Sequence, residues 1–234
     1  MRSGLDMSVQ EKIVAHAGRH AVILCHPDAH SFNHGIAKAY CDAVRTAGQD
    51  VVFRDLYAIG FDPVLKADEM PTIAHPALST DVTAELDLLA GCDVFVLIYP
   101  IWFGSPPAMM KGYIERVLGS GVVPADIQKQ VRTDLLGNKR LLSFTTSATT
   151  DIWLNEQGQE QGLRSVLDNY LMHAFGMHSQ EHHRFDHITP GLSERFAHQY
   201  FLEIEGHAQR VCAHIAFGDE AILQDPKLAR RFTR

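Results

Sequence analysis

The chain has 234 residues, of which 46% are hydrophobic and 21% are charged, and its formal net charge is −7. This is the composition of a globular protein that can bury a sizeable core. The Lys and Arg residues are scattered and no apolar run approaches the roughly 20 residues that span a bilayer, which argues against a nucleic-acid partner or a membrane span and favours a cytoplasmic protein.

The regular part of the sequence follows a short amino-terminal stretch. We interpret residues 1–19 as an extension and residues 20–234 as a single domain, because no linker-like stretch divides the chain. Ala21–Cys25 is a short apolar run, which is typical of a strand buried on both faces. Ser31 is then the predicted N-cap of a helix that Gly48 ends.

Strands and helices continue to alternate towards the carboxyl end. Apolar runs predict further strands at 51–53, 93–99, 140–144 and within 177–185. Helices are expected between and after them: one capped by Asp81 and ended by Gly91, then 109–117, about 162–175 and about 193–214. This alternation implies an α/β fold class, with a doubly wound parallel sheet between two layers of helices.

Ligands of an open parallel sheet bind beyond the carboxyl ends of the strands, where this chain has three unusual loops. The first loop, His26–Asn33, lacks both the glycine-rich dinucleotide pattern and the Walker pattern. It nevertheless leads into a helix N-terminus, whose free N–H groups suit a phosphate, and Ser31 and Asn33 add donors. The alternative is that Ser31 only caps its helix.

Aromatic residues mark the second loop, Tyr99–Ala108. Its three prolines make it rigid, and Gly104 permits a tight bend. Trp102 and Phe103 follow a buried strand directly, where a rigid aromatic edge suits a planar heterocycle. A hydrophobic plug or a dimer contact is the alternative.

Small and hydroxyl-bearing residues make up most of the third loop, Thr145–Trp153. Such residues let the backbone approach a ligand closely. Alone, this would be read as an ordinary polar loop. Beside the other two loops, it is expected to complete a pocket.

Four stretches carry a resemblance to a known family: HPDAHSFNHGIAKA (26–39), DLYAIGFDPVL (55–65), YPIWFGSPPAMMKGYIERV (99–117) and LLSFTTS (141–147). The chain resembles the NAD(P)H:quinone oxidoreductases, DT-diaphorase and its bacterial relatives, over about residues 20–215. The resemblance implies a flavodoxin-like three-layer α/β/α fold with about five strands, a bound flavin and a homodimer with active sites at its interface. It also implies two-electron hydride transfer from NAD(P)H to quinone-like, nitro or azo acceptors.

The resemblance further implies where the flavin binds. Its ribityl and phosphate end would be lined by His26, Ser31, Phe32 and Asn33. The isoalloxazine ring would be bordered by Pro100, Ile101, Trp102 and Phe103, and its pyrimidine edge held by Thr145, Thr146, Ser147 and Ala148. Donors at that edge would stabilise the negative charge that hydride arrival leaves on the ring.

The sequence departs from the family pattern in the third loop and beyond it. Ser147 and Ala148 stand where the family usually has two glycines. The family's Tyr and His, which are thought to relay charge from the reduced flavin, correspond to Trp153 and Gln159, our candidate catalytic positions. Neither side chain exchanges a proton at neutral pH, so the proton would come from water, substrate or another group.

These departures leave alternative functions open. The expected function is a flavin-dependent NAD(P)H oxidoreductase. A regulatory subunit of a potassium-efflux-type membrane system is the main alternative, because loss of the relay pair fits a sensor. A flavodoxin that carries single electrons is a second, lesser alternative. The match to SFN, FDPVL and WFG favours FAD, with FMN as the other choice.

Cysteines and histidines give no metal signature. The four cysteines are widely spaced without a CxxC pair, so we expect free thiols. His178, His182, His183 and His187 include i, i+4 spacings, but their setting is strand-like rather than helical. Surface or interface histidines are therefore expected there, and no metal site is predicted.

Overall fold

A computed structural model of the protein describes residues 17–73, 76–129, 134–150, 156 and 158–224. Its five strands are all parallel and form one sheet in the order β2-β1-β3-β4-β5. They are β1 (Arg19–Leu24), β2 (Asp50–Asp55), β3 (Val94–Pro100), β4 (Arg140–Thr146) and β5 (Ser179–Phe185). The order reverses between β1 and β3, which confirms the predicted doubly wound, flavodoxin-like fold class.

Helices connect the strands and cover both faces of the sheet. They are α1 (Phe32–Thr46), α2 (Thr80–Leu89), α3 (Ala108–Tyr113), α4 (Pro124–Gln128), α5 (Gln159–Leu163), α6 (Tyr170–Ala174), α7 (Glu194–Phe217) and α8 (Asp219–Gln224). A π-helical stretch, Ile114–Leu118, continues α3, and another, Arg164–Asn169, joins α5 to α6. The predicted helix at 162–175 is thus found with a π-helical middle.

Helix ends follow the predicted capping signals with one exception. The Ser31 side chain accepts a hydrogen bond from the His34 N–H, and Gly48 follows the C-cap of α1 with φ +75°. The expected cap at Asp81 is wrong, because Ser79 is the N-cap of α2 and Asp81 lies in its first turn. The Asp81 carboxylate pairs with Arg116.

The core consists of two apolar layers, one on each face of the sheet. Every residue of β3 is buried, and its side chains alternate between the layers. Phe95, Leu97 and Tyr99 pack with α2, α3 and α6, whereas Val96 and Ile98 pack with α1 and α7. This gives three layers, helix on sheet on helix.

The amino-terminal extension stays a prediction, because residues 1–16 lie outside the described residues. Arg19, which we assigned to it, is the first residue of β1. The four cysteines are free, as predicted, and all four are buried. No helix within the described part of the chain combines the length and the apolar character that crossing a membrane requires.

A buried arginine holds the chain that follows β2. The Arg116 side chain has no exposed surface, and its guanidinium pairs with Glu69 at 2.6 Å and Asp81 at 2.8 Å. It also donates to the Asp62 carbonyl and lies 5.3 Å from the centre of the Phe61 ring. Burying this charge is tolerated because each part of the guanidinium has a partner.

The same segment lies against α3 so closely that only glycine fits at position 112. A Cβ added to Gly112 would overlap the carbonyl oxygen and ring of Pro63. We expect Gly112→Ala to lower the free energy of unfolding by about 1–3 kcal/mol, since neither backbone can move without loss of packing. Chemical denaturation measures this.

Gly162→Ala is the matched control, because Gly162 is also helical and nothing lies within 4 Å of an added Cβ. It should be neutral or stabilising by up to about 1 kcal/mol. Equal effects of the two substitutions would contradict the close approach of Pro63.

Arg116 makes part of the stability dependent on pH. Its hydrogen bonds lower the pKa of Glu69 to about 2. Because this pKa is below the unfolded value, about 4.3, Glu69 stabilises the fold above that value and the contribution is lost as the pH falls towards 2. Glu69→Gln should lower stability at pH 7 by about 3 kcal/mol and flatten the loss between about pH 5 and pH 2.

Denaturant titrations at several pH values test this. Asp42→Asn serves as the control, because Asp42 is 52% exposed in its pair with Lys38. Its effect should stay below about 1 kcal/mol. An unchanged acid slope in Glu69→Gln would show that Glu69 is not the titrating group.

Candidate functional site

Hydrogen bonds and ring contacts join the three predicted loops at the carboxyl edge of the sheet. The Ile101 N–H donates to the Thr146 carbonyl at 2.8 Å, which links the second loop to the third. The Thr146 hydroxyl donates to Asn33 Oδ1 at 2.9 Å, which links the third to the first. The His26 and Trp102 rings, 5.9 Å apart, link the first to the second. The three loops therefore lie side by side and are joined to one another.

Ser31 is the N-cap of α1, as predicted. Its hydroxyl accepts from the His34 N–H and shares a 2.9 Å hydrogen bond with His34 Nδ1. The other ring nitrogen of His34 lies 3.0 Å from Asp55 at the end of β2. Burial lowers the pKa of the nearby His26, which favours its neutral form. The phosphate role of the first loop stays a prediction.

Asn33 carries the strongest sign of a ligand. Its side chain is buried, and while Oδ1 accepts from Thr146, Nδ2 has no hydrogen-bond partner among the described residues. A buried amide that donates to nothing costs about 1–3 kcal/mol, so native proteins normally satisfy it. An acceptor on a bound molecule would do so.

Phe32 packs against aromatic residues of β5 and α7. Its ring stacks on Phe201 at 5.0 Å and meets Tyr200 and Phe185 edge-on at 6.0 and 6.3 Å. These contacts hold the start of α1, and with it the first loop, against α7. Sequence reasoning assigned Phe32 only to the ligand and missed this packing role.

The second loop presents its aromatic residues on a strained turn. Trp102 and Ser105 exchange backbone hydrogen bonds of 3.0 and 3.1 Å around Phe103 and Gly104. Both central residues have positive φ, +50° and +78°, which is unfavourable for phenylalanine. The Phe103 side chain is fully exposed and Trp102 is 39% exposed. Strain and exposure together indicate that this turn contacts another molecule.

Other residues of the second loop are less open. Pro100 ends β3 and is buried, and Ile101 is half-buried against the core. Both therefore belong to the packed base of the loop and not to its exposed turn.

The third loop uses its hydroxyl groups internally. The Thr145 hydroxyl is buried and bonded to His182 Nε2 at 2.7 Å, and Thr146 bonds Asn33. Ser147 Oγ accepts from the Thr149 N–H, and the Ser147 N–H donates to the Phe185 carbonyl. Ala148 is exposed. At 145–147 both the hydroxyl groups and most backbone groups therefore bond to other parts of the chain.

A buried polar network beneath this loop was not predicted. Asp168 accepts from the Ser143 hydroxyl at 2.9 Å and makes a short hydrogen bond with His182 Nδ1. The expectation of a surface histidine is wrong for His182, whose side chain is only 4% exposed. The sequence feature that could have revealed this network is the pair Ser143 and Thr145, which lie two residues apart on one face of an apolar strand.

The two candidate catalytic positions remain predictions. Trp153 lies outside the described residues. Of Gln159 only the backbone is described, as the first residue of α5.

A cleft of about 760 Å³ opens beside the first loop. His30, Ser31 and Lys38 line one side, and Thr189, Pro190 and Leu192 line the other. Its volume suits a nucleotide-sized ligand. No local pattern could have revealed the cleft, because its walls come from segments about 150 residues apart.

Comparison with known proteins identifies the family. Residues 18–207 match the family described as having a flavodoxin-like fold, and the chain belongs to this family. An uncharacterized NAD(P)H oxidoreductase of Haemophilus influenzae is 31% identical over 170 residues, 72% of this chain and 84% of that protein. Rat NAD(P)H dehydrogenase [quinone] 1 is 27% identical, over 64% of this chain and 60% of its own length.

Solved structures agree on the fold. An NAD(P)H:quinone oxidoreductase from Methanothermobacter marburgensis superposes with a TM-score of 0.71 at 20% identity, over 84% of this chain and 96% of that one. An FMN-dependent NADH-azoreductase from Bacillus anthracis, solved with FMN, has a TM-score of 0.63 at 14% identity, over 83% of this chain and 100% of that one. The family resemblance predicted from the sequence is confirmed.

Proposed function

We propose that the protein is a flavin-dependent NAD(P)H oxidoreductase that passes two electrons, as hydride, to quinones or similar electrophilic acceptors. The observation that carries the proposal is the joined set of three loops around the unpartnered Asn33 amide. Family membership and the relatives named as NAD(P)H oxidoreductases and quinone dehydrogenases support it.

The residues present fit a flavin. The N-terminus of α1 offers N–H groups and a positive helix end to a phosphate, and Asn33 Nδ2 offers a further donor. The turn at Trp102 and Phe103 would border the ring, and the backbone at 146–148 would lie along its polar edge. When bound, the flavin supplies the group that accepts and donates hydride.

The protein's own contribution would be to position the reactants and keep out water. Rigid loops hold two reactants in one geometry and lower the entropic barrier to their reaction. Fixed N–H donors in a partly dry site stabilise developing negative charge without reorganising. The tie from Ile101 to Thr146 provides such rigidity here.

FAD is the flavin that we propose. FMN ends at its phosphate, whereas the 760 Å³ cleft continues from the first loop to residues 188–201. That extra volume would take the adenosine half of FAD, with the Lys38 ammonium near its phosphates. The azoreductase neighbour is described with FMN, so FMN is the alternative.

A homodimer is also proposed, because large apolar side chains are exposed in the second loop and in or next to the segment that joins α5 to α6. Phe103 is fully exposed, Val166 is 76% exposed and Tyr170 is 53% exposed. Contacts between copies would cover such surface. The cytoplasmic location stays a prediction, and no observation favours a potassium-efflux partner.

The chromophore of the purified full chain tests the cofactor. After denaturation, the released compound should show a flavin spectrum and the mass of FAD. The mass of FMN would correct only the cofactor's identity, whereas a colourless protein that takes up neither flavin would overturn the proposal.

Turnover is measured separately on the flavin-loaded protein. Oxidation of NADH and NADPH should accelerate when menadione or an azo dye is added. A loaded protein that reduces no quinone, azo or nitro acceptor would leave flavin binding intact and overturn the enzymatic proposal.

Asn33→Asp tests the role of the unpartnered amide. The new carboxylate still accepts from Thr146 but replaces the donor with a negative charge, so we expect flavin to bind about 10–100-fold more weakly. Fluorescence titration measures the dissociation constant. Asn138→Asp, the same change at an exposed position before β4, should leave binding unchanged. Unaltered binding in Asn33→Asp would show that this amide does not meet the flavin.

A further inference from the structure

Three potential metal ligands meet on the face of β5 that is turned away from His182. Glu181 and His183 are two residues apart on the strand and therefore share a face. His207 of α7 lies opposite, with its ring centre 3.5 Å from that of His183. One ligand atom from each of the three residues lies within 4.8 Å of the other two.

The His183 ring is held in place with a ligand atom unused. Its Nε2 is buried and makes no hydrogen bond to any described residue, although Glu181 Oε2 lies 3.4 Å away. Phe144 packs against His183 at 5.5 Å and against His207 at 6.0 Å. Two rings are thus fixed by packing while their nitrogen atoms face a carboxylate.

We propose that Glu181, His183 and His207 bind a divalent transition-metal ion of the zinc class. Two imidazoles and one carboxylate suit Zn²⁺, with water in the fourth position because Glu181 is half exposed. Tetrahedral ligands at the usual bond lengths are about 3.3 Å apart. The three ligand atoms, now within 4.8 Å of one another, would therefore have to move closer together by a small distance. The exposed Glu181 side chain can make most of that movement.

Some of the charges around the cluster favour a bound cation and one opposes it. Glu203 Oε1 lies 3.7 Å from His207 Nε2 and adds negative charge. The remaining charge, Arg210, opposes a metal ion.

Arg210 is the group that a metal ion must displace. Its Nη2 donates to His207 Nδ1 at 2.6 Å. A neutral imidazole has a single free lone pair, and Arg210 occupies it. Whichever ring nitrogen binds the metal, this hydrogen bond must break. Arg210 therefore competes with the ion and sets its affinity.

The metal ion would join the edge strand of the sheet to α7. Phe185, two residues beyond His183, accepts the hydrogen bond from the Ser147 N–H. A bound ion would thus stiffen the strand that supports the third loop. This site is separate from the three loops and does not rest on the proposed function.

Isothermal titration with Zn²⁺ at pH 7.5 tests the site, using the purified full chain with its chromophore after chelator treatment and dialysis. We expect one ion per chain, far weaker binding of Mg²⁺, and a higher melting temperature with Zn²⁺. His183→Gln and Glu181→Gln should each weaken Zn²⁺ binding at least about tenfold. His178→Gln, in the same segment but bonded to Asp219, is the matched control and should bind normally.

Arg210→Met separates this site from adventitious binding to other histidines. It removes the competing donor and its charge, so Zn²⁺ should bind several-fold more tightly, an effect that vanishes when Glu181→Gln is added. Because Glu181 and Arg210 reach the surface, these variants carry the test even if His183→Gln does not fold. Unchanged zinc affinity in Glu181→Gln and Arg210→Met would overturn the proposal.

Discussion

Thr146 joins the segments on which the candidate site depends. Its carbonyl accepts the Ile101 N–H and its hydroxyl donates to Asn33, so one residue at the end of β4 holds the second loop and the start of α1. Parallel strands leave their last backbone groups unpaired at the carboxyl edge, and these groups must find partners nearby. Here the last carbonyl group of β4 finds its partner in the loop that follows β3. These hydrogen bonds hold the three loops together.

The family motifs contain two kinds of residue: those of the predicted site and those that pack beneath it. In the stretch 99–117, the turn at Trp102 belongs to the second loop, whereas Gly112 and Arg116 contact the stretch 55–65 through Pro63 and Asp62. The two stretches belong together because they pack against each other. A motif that identifies the family thus includes residues that hold the backbone around the core.

Alternation along β5 explains the crowded histidines. His182 points to the buried Asp168 and Thr145, and the next residue, His183, points to His207 on the opposite face. A strand turns successive side chains to opposite sides of the sheet. Two adjacent histidines consequently serve two separate polar clusters, one below the third loop and one against α7.

The sequence by itself determined the order of strands and helices, the fold class and the three loops, because these depend on local periodicity, capping and the apolar runs of buried strands. It also identified the family through the stretches at 26–39 and 99–117. Only the tertiary structure decided the rest. The partners of Thr145, the unpartnered Asn33 amide, the cleft by residues 188–192 and the meeting of His183 with His207 all join distant segments. Sequence spacing carries no record of such contacts, because they arise from how whole elements pack.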